Sequence, residues 1–160
     1  MATLKPKIYI ETSIPSYLTA KPSSDVRVTA NRAATAEWWE ARRPAFELFI
    51  SEFVLAEVAL GDPEAAKRRL DAISGITELE ATEEVRVLGK ALVSEGAIPA
   101  TAEIDAYHIA IAAVNGVDYL LTWNCTHIAN AVMRAKIEAV CRRHGYEPPI
   151  ICTPQELMEG

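Results

Sequence analysis

A parallel α/β fold, with a five-stranded sheet covered by helices on both faces, is what the pattern of this chain predicts. Two features carry the expectation. Short β-rich runs alternate with stretches of helical periodicity, and strands such as Tyr119-Leu120-Leu121 are continuously apolar rather than alternating, as strands buried on both faces are. The length agrees, since 160 residues suit one domain, spanning 1–160, with a core of its own. With 50% hydrophobic and 24% charged residues, disordered and fibrous classes are excluded.

Lys7 to Ile10 reads as the first strand, ending at Glu11-Thr12-Ser13, with Pro15 in the first turn of a helix. Ser24-Asp25 supplies an N-cap for a long helix through Arg43, stopped by Pro44, and Phe46 to Ile50 is the second strand. Ser51 caps a helix from Glu52 to Leu60; Gly61-Asp62-Pro63 closes it and opens the next, to about Ala72. Ile76 to Leu79 is a third strand, Thr82 starts a helix to Ser94, and Thr101 starts an apolar helix to Val114, ended by Asn115-Gly116. Tyr119 to Thr122 is the fourth strand, Asn130 to Arg143 a helix closed by Gly145, Ile150 to Cys152 the fifth strand, and Pro154 opens a terminal helix. In such folds ligands bind beyond the carboxyl ends of the strands, which directs attention to Glu11 and Asn124.

Cys125, Cys141 and Cys152 are odd in number and form no C-x-x-C pair, which fits a reduced, cytoplasmic setting. The first apolar run is stopped by Glu11, too soon for an export signal, and Asp105, His108, Asn115 and Asp118 interrupt the most apolar stretch, so no membrane span is expected. The 16 Lys and Arg against 22 Asp and Glu leave a net charge of −6, which taken alone speaks against a nucleic-acid surface.

Two acids stand where the pattern wants apolar residues. Glu57 shares a helical stripe with Phe53 and Leu60, and Asp105 shares a face with His108, Ile109 and Ala112; an ionised carboxylate in either place is costly unless paired or bound to a metal. Glu52 and Glu103, in first helical turns, read instead as partners of the helix dipole, and His108, alone on an apolar face, as a core histidine. Glu11, Glu57 and Asp105 lie too far apart in sequence for any local device. If the fold gathers them, their mutual repulsion calls for a hard divalent cation, and oxygen-only ligation selects Mg²⁺ or Mn²⁺. Phosphodiester hydrolysis is the chemistry such a site serves.

These residues resemble the PIN-domain nucleases, in particular VapC-type toxin ribonucleases of toxin–antitoxin pairs. The likeness lies in Ile8-Tyr9-Ile10-Glu11-Thr12-Ser13, in Phe53-Val54-Leu55-Ala56-Glu57-Val58, in Asp105-Ala106-Tyr107-His108-Ile109-Ala110, and in the strand Asp118-Tyr119-Leu120-Leu121-Thr122, in the family's order. Two departures stand out: the first acid is Glu11 where most of the family has Asp, and Thr122-Trp123-Asn124 places an amide where the family has a fourth acid. The resemblance implies a PIN-like, Rossmann-like three-layer sandwich. It also implies a metal-dependent endoribonuclease in which Glu11, Glu57 and Asp105 hold Mg²⁺ or Mn²⁺. Asn124 would stand at the fourth catalytic position, with Ser13 and Thr122 supporting. RNA as substrate, a cognate antitoxin protein and homodimerisation are implied as well. The alternative is a catalytically impaired PIN-fold module that binds protein or RNA, because Asn124 is no acid.

A structural zinc site from Cys125, His127, Cys141 and His144 is a rival with the right ligand count and poor spacing. Trp38 and Trp39 read as core or dimer contacts, since adjacent helical residues diverge by about 100° and form no flat stacking platform. Arg42-Arg43, Lys67-Arg68-Arg69, Arg134 with Lys136, and Arg142-Arg143 are helix-borne basic clusters that would hold RNA phosphates where they line the cleft. With three acids neutralised at a metal, the net charge no longer decides against RNA.

Overall fold

The computed structural model describes residues 4–158. Strand β1 (Lys7–Ile10) runs through the middle of the sheet, with Ile8, Tyr9 and Ile10 wholly buried on its two faces. Helices α1 (Ser13–Leu18) and α2 (Val26–Ala41) lead to β2 (Glu47–Ser51), and α3 (Glu52–Val58) and α4 (Pro63–Ala72) lead to β3 (Thr77–Leu79). From there α5 (Glu83–Ser94) and α6 (Glu103–Val114) lead to β4 (Tyr119–Leu121), and α7 (Ala131–Arg143) leads to β5 (Ile150–Cys152). Every pairing is parallel, in the order β3-β2-β1-β4-β5. The chain therefore builds outward from β1 on one side and then returns to lay β4 on the other. Right-handed crossovers put the helices before β2 and β3 on one face and those before β4 and β5 on the opposite face. The expected three-layer parallel α/β architecture is what forms.

Local chemistry explains most boundaries. Asp25 accepts from the N–H groups of Arg27 and Val28, Asp62 from Ala65 N–H, and Asn130 from Val132 N–H, each satisfying donors that a helix start leaves open. Gly61, Gly116 and Gly145 close their helices with φ of 84°, 64° and 87°. Helix α6 is central: Ala106, Ile109, Ala110, Ile111 and Ala112 have no exposed surface, and Trp38 and Trp39 both lie in the core. Asp118 is a turn residue, accepting from Lys7 N–H at 2.8 Å.

Three expectations need correction. The long second helix ends at Ala41, and Arg43–Ala45 forms a short 3-10 turn around Pro44. Helix α3 stops at Val58, so Leu60 lies past its end and is 69% exposed rather than sharing a buried stripe with Glu57. At Pro154 no helix forms. The Thr153 and Glu156 side chains make the reciprocal capping bonds, Thr153 N–H to Glu156 Oε1 at 3.0 Å and Glu156 N–H to Thr153 Oγ1 at 3.4 Å, but only a turn follows. One turn fixes several residues for a single bond and is not self-sustaining.

Candidate metal centre

In this strand order the direction of winding reverses between β1 and β4, and the crevice outside their carboxyl ends is where ligands of such sheets bind. Glu11 follows β1 and continues its ladder, its N–H reaching Leu121 O at 3.1 Å, which sets it beside Thr122. Its side chain is buried, and Oε1 accepts from Thr122 Oγ1 at 2.7 Å, from Ser13 N–H at 3.1 Å and from the Ser13 hydroxyl. Ser13 Oγ in turn accepts from Trp123 N–H at 2.7 Å. The start of α1 and the loop after β4 are thus tied together around one carboxylate oxygen.

Glu57 comes in on α3, which is aimed by Ser51: the last residue of β2 caps the helix through Phe53 N–H at 3.2 Å. Glu57 Oε1 accepts from Thr12 Oγ1 at 2.6 Å and from His108 Nε2 at 2.5 Å. Partial burial raises the pKa of this carboxyl, but the hydrogen bond and charge of His108, with the Thr12 bond, outweigh burial and hold it below the ordinary value. Among the described residues, no donor reaches Oε2 of Glu11 or of Glu57, and neither carboxylate pairs with a lysine or arginine.

Asp105 sits in the first turn of α6, buried, with Oδ2 at 3.0 Å from His127 Nδ1. His108 follows one turn later on the same face. Among the described residues the group of potential ligand atoms lying within 4.8 Å of one another is Glu11, Glu57 and His108. The carboxylate of Asp105 is not within this group. Asn124 Oδ1 accepts from His127 N–H at 3.1 Å, closing the turn that follows β4. Thr122 and Ser13, expected as supports, are the donors that hold Glu11.

The sequence reading passed over three members of this site. His108 reads in the sequence as a core histidine, and it is buried and satisfied, yet its partner is Glu57. A polar residue three positions after Asp105 on an otherwise apolar helix was the available signal. Tyr9 lies under His108, its hydroxyl 2.7 Å from Nδ1 and 2.7 Å from Ser51 Oγ. Burial pushes its phenol well above the ordinary pKa, opposed by the Ser51 bond and reinforced by the charges of Glu11 and Glu57. His127 is bonded to Asp105 rather than gathered with thiols.

The zinc rival finds no support among the described residues: Cys125 is exposed, Cys141 is buried, and His144 bonds Glu95 Oε2 at 2.7 Å. Several basic clusters are already engaged. Lys67 pairs with Asp71, Arg142 with Glu138 and Glu147, Arg143 with Glu95, and Arg69 donates to Val58 O and Leu60 O. A wide concavity of about 820 Å³ opens at the opposite end of the sheet, beside Lys7, Glu47 and Asp118, away from the gathered carboxylates.

No protein-family model and no curated protein matches the sequence. Solved structures do match the fold. VapC20 of Mycobacterium tuberculosis, a toxin that cleaves the sarcin–ricin loop, superposes with a TM-score of 0.59 over 78% of this chain and 95% of its own, at 16% identity. A chain of VapBC2 from Rickettsia felis, a complex bound to a DNA fragment from its promoter, superposes with a TM-score of 0.53 over 91% of this chain and 97% of its own, also at 16% identity. The architecture is therefore the PIN-like α/β fold of VapC toxins. No helix among the described residues is long and apolar enough to cross a membrane.

Proposed function

We propose that the protein is a metal-dependent endoribonuclease, the toxin of a toxin–antitoxin pair, that hydrolyses RNA phosphodiester bonds with Mg²⁺ or Mn²⁺ held by Glu11, Glu57 and Asp105. The observation that carries this reading is the convergence of the Glu11 and Glu57 carboxylates at the β1/β4 crevice, each with Oε1 bonded to the protein and Oε2 left without a donor. Buried or half-buried carboxylates without a lysine or arginine partner fit a hard divalent ion. The VapC-like fold adds support, as do a neighbour that is a sarcin–ricin-loop-cleaving toxin and another, VapBC2, bound to a DNA fragment from its promoter.

In this reading Ser13 and Thr122 orient Glu11, Thr12 orients Glu57, and Asp105 supplies a third oxygen ligand from α6. A divalent ion, when bound, supplies a water of lowered pKa and stabilises charge developing on a phosphate oxygen. Asn124 keeps the site less negative than four acids would, and its amide serves the backbone. RNA phosphates would be met by basic side chains not already paired, such as Lys21 and Arg68 on the groove between α1 and α4. A cognate antitoxin protein and a second copy of the chain are the expected partners, in the cytoplasm.

The test is cleavage of RNA by the purified chain with and without Mg²⁺ or Mn²⁺. Activity that needs the ion and disappears in Glu11→Ala and Glu57→Ala is expected; cleavage untouched by either substitution refutes the assignment. The Asn124 capping bond favours one second reading, a binding module on the same fold. That reading predicts no Mn²⁺ affinity lost on Glu11→Ala.

A further inference from the structure

We infer that His108 serves the proposed metal site as a positioning residue, aiming Glu57 through a buried hydrogen-bond chain Ser51–Tyr9–His108, and does not itself bind the ion. The inference rests on the metal-site reading above and concerns how that site is built. His108 Nε2 lies 2.5 Å from Glu57 Oε1. An ionised carboxylate only accepts, so the hydrogen of this bond belongs to Nε2, and a nitrogen that carries a hydrogen has no lone pair for a cation. Proximity of the imidazole to both carboxylates is thus a matter of support and not of ligation.

The rest of the chain sets that hydrogen in place. Phe53 N–H occupies one lone pair of Ser51 Oγ, the Ser51 hydroxyl is 2.7 Å from Tyr9 OH, and Tyr9 OH is 2.7 Å from His108 Nδ1. With Ser51 donating to Tyr9 and Tyr9 to Nδ1, the imidazole is the Nε2–H tautomer and points its hydrogen at Glu57. Ser51, Tyr9 and His108 are wholly buried, so no solvent competes for these bonds.

Ring packing fixes the imidazole plane as well. Tyr9 lies 5.7 Å from it, ring centre to ring centre, and Phe53 meets it edge-on at 6.3 Å. The chain joins β2, β1 and α6 to the one helix that bears Glu57, so the direction of Oε2 is set by the sheet itself. Outer partners that hold a metal-binding carboxylate commonly change affinity about 10–100-fold when removed.

The test uses the full chain. ¹⁵N NMR of its histidines is recorded without metal and with saturating Mg²⁺; the expected result is that His108 Nε2 keeps its directly bonded hydrogen in both. Loss of that hydrogen on adding Mg²⁺ makes His108 a ligand and overturns the inference. In parallel, Mn²⁺ affinity is measured by titration for Tyr9→Phe, Ser51→Ala, His108→Gln and His108→Leu, with thermal melts confirming that each is folded. Tyr9→Phe and Ser51→Ala should weaken Mn²⁺ about 10-fold, and His108→Gln, which keeps an N–H donor, should retain more affinity than His108→Leu. Unchanged affinity in folded Tyr9→Phe and His108→Leu overturns the positioning role. Glu57→Ala separates the two levels: if it too leaves Mn²⁺ binding intact, the metal-site reading has failed; if it abolishes binding while the others do not, only the positioning inference has.

Discussion

Helices α5 and α6 meet at Gly89, and that contact sets up a substitution whose sign is decided by two opposed effects. A Cβ built on Gly89 would stand 2.3 Å from Cδ1 and 2.5 Å from Cε1 of Tyr107. An ordinary carbon contact is about 3.5–4.0 Å, so in Gly89→Ala the ring must retreat by about 1 Å. It has little freedom to do so, because it is stacked on Phe53 at 5.2 Å and 10° and its hydroxyl donates to Glu103 Oε1 at 2.7 Å. Overpacking of this kind costs about 1–3 kcal/mol. Replacing a mid-helix glycine with alanine returns about 1 kcal/mol of helix propensity. The net expectation is a loss of about 1 kcal/mol, or roughly 2–4 °C in Tm for a domain of this size. Urea unfolding of a double-mutant cycle isolates the clash. In a Tyr107→Ala background the obstacle is gone and Gly89→Ala should stabilise by about 1 kcal/mol, a coupling of about 2 kcal/mol. Equal effects in both backgrounds, or stabilisation in the presence of Tyr107, would refute the packing argument.

Three further outcomes follow from the described contacts. Arg69→Met removes the hydrogen bonds to Val58 O and Leu60 O, at 2.6–3.1 Å, that fasten the end of α3 to α4; urea denaturation should show a loss of about 1 kcal/mol, whereas Lys67→Ala, which breaks the exposed pair with Asp71, should change stability by less than about 0.5 kcal/mol. Burial pushes the thiol of Cys141 up to about 11 and that of Cys152 to about 12, so a thiol reagent at neutral pH should label only exposed Cys125 in the folded chain. Because the folded thiols hold their protons more tightly than unfolded ones, stability should fall as pH rises above about 9, each thiol contributing at most about 1.4 kcal/mol per pH unit, and Cys141→Ala should flatten that fall in unfolding measured across pH 8–11.

How much of this was legible beforehand depended on range. The caps at Asp25, Ser51, Asp62 and Asn130 act over two or three residues, and helix starts were read from them almost to the residue. Glu57 and Asp105 announced themselves because a carboxylate in an apolar setting needs a reason wherever the fold takes it, and Glu11 because it follows the carboxyl end of a strand. His108 did not, since a buried histidine has many innocent uses and only the meeting of β1, α3 and α6 gives it Glu57 on one nitrogen and Tyr9 on the other. His127 is a parallel case: the bond that links it to Asp105 crosses from α6 to the loop after β4. The failed helix at Pro154 shows the reverse limit, where the local signal was real and its capping bonds form, but nothing propagates the turn.

The central place of β1 has a consequence in time. Glu11 follows β1, yet the Thr122 hydroxyl that holds its carboxylate lies 111 residues further on, and the Trp123 N–H that steadies Ser13 lies 110 residues beyond that serine. At ordinary translation rates these partners follow roughly 5–20 s later. Until β4 has emerged and docked beside β1, the first carboxylate has no fixed direction and the crevice has only one wall. Whatever chemistry the acidic site performs therefore waits on the docking of β4 beside β1.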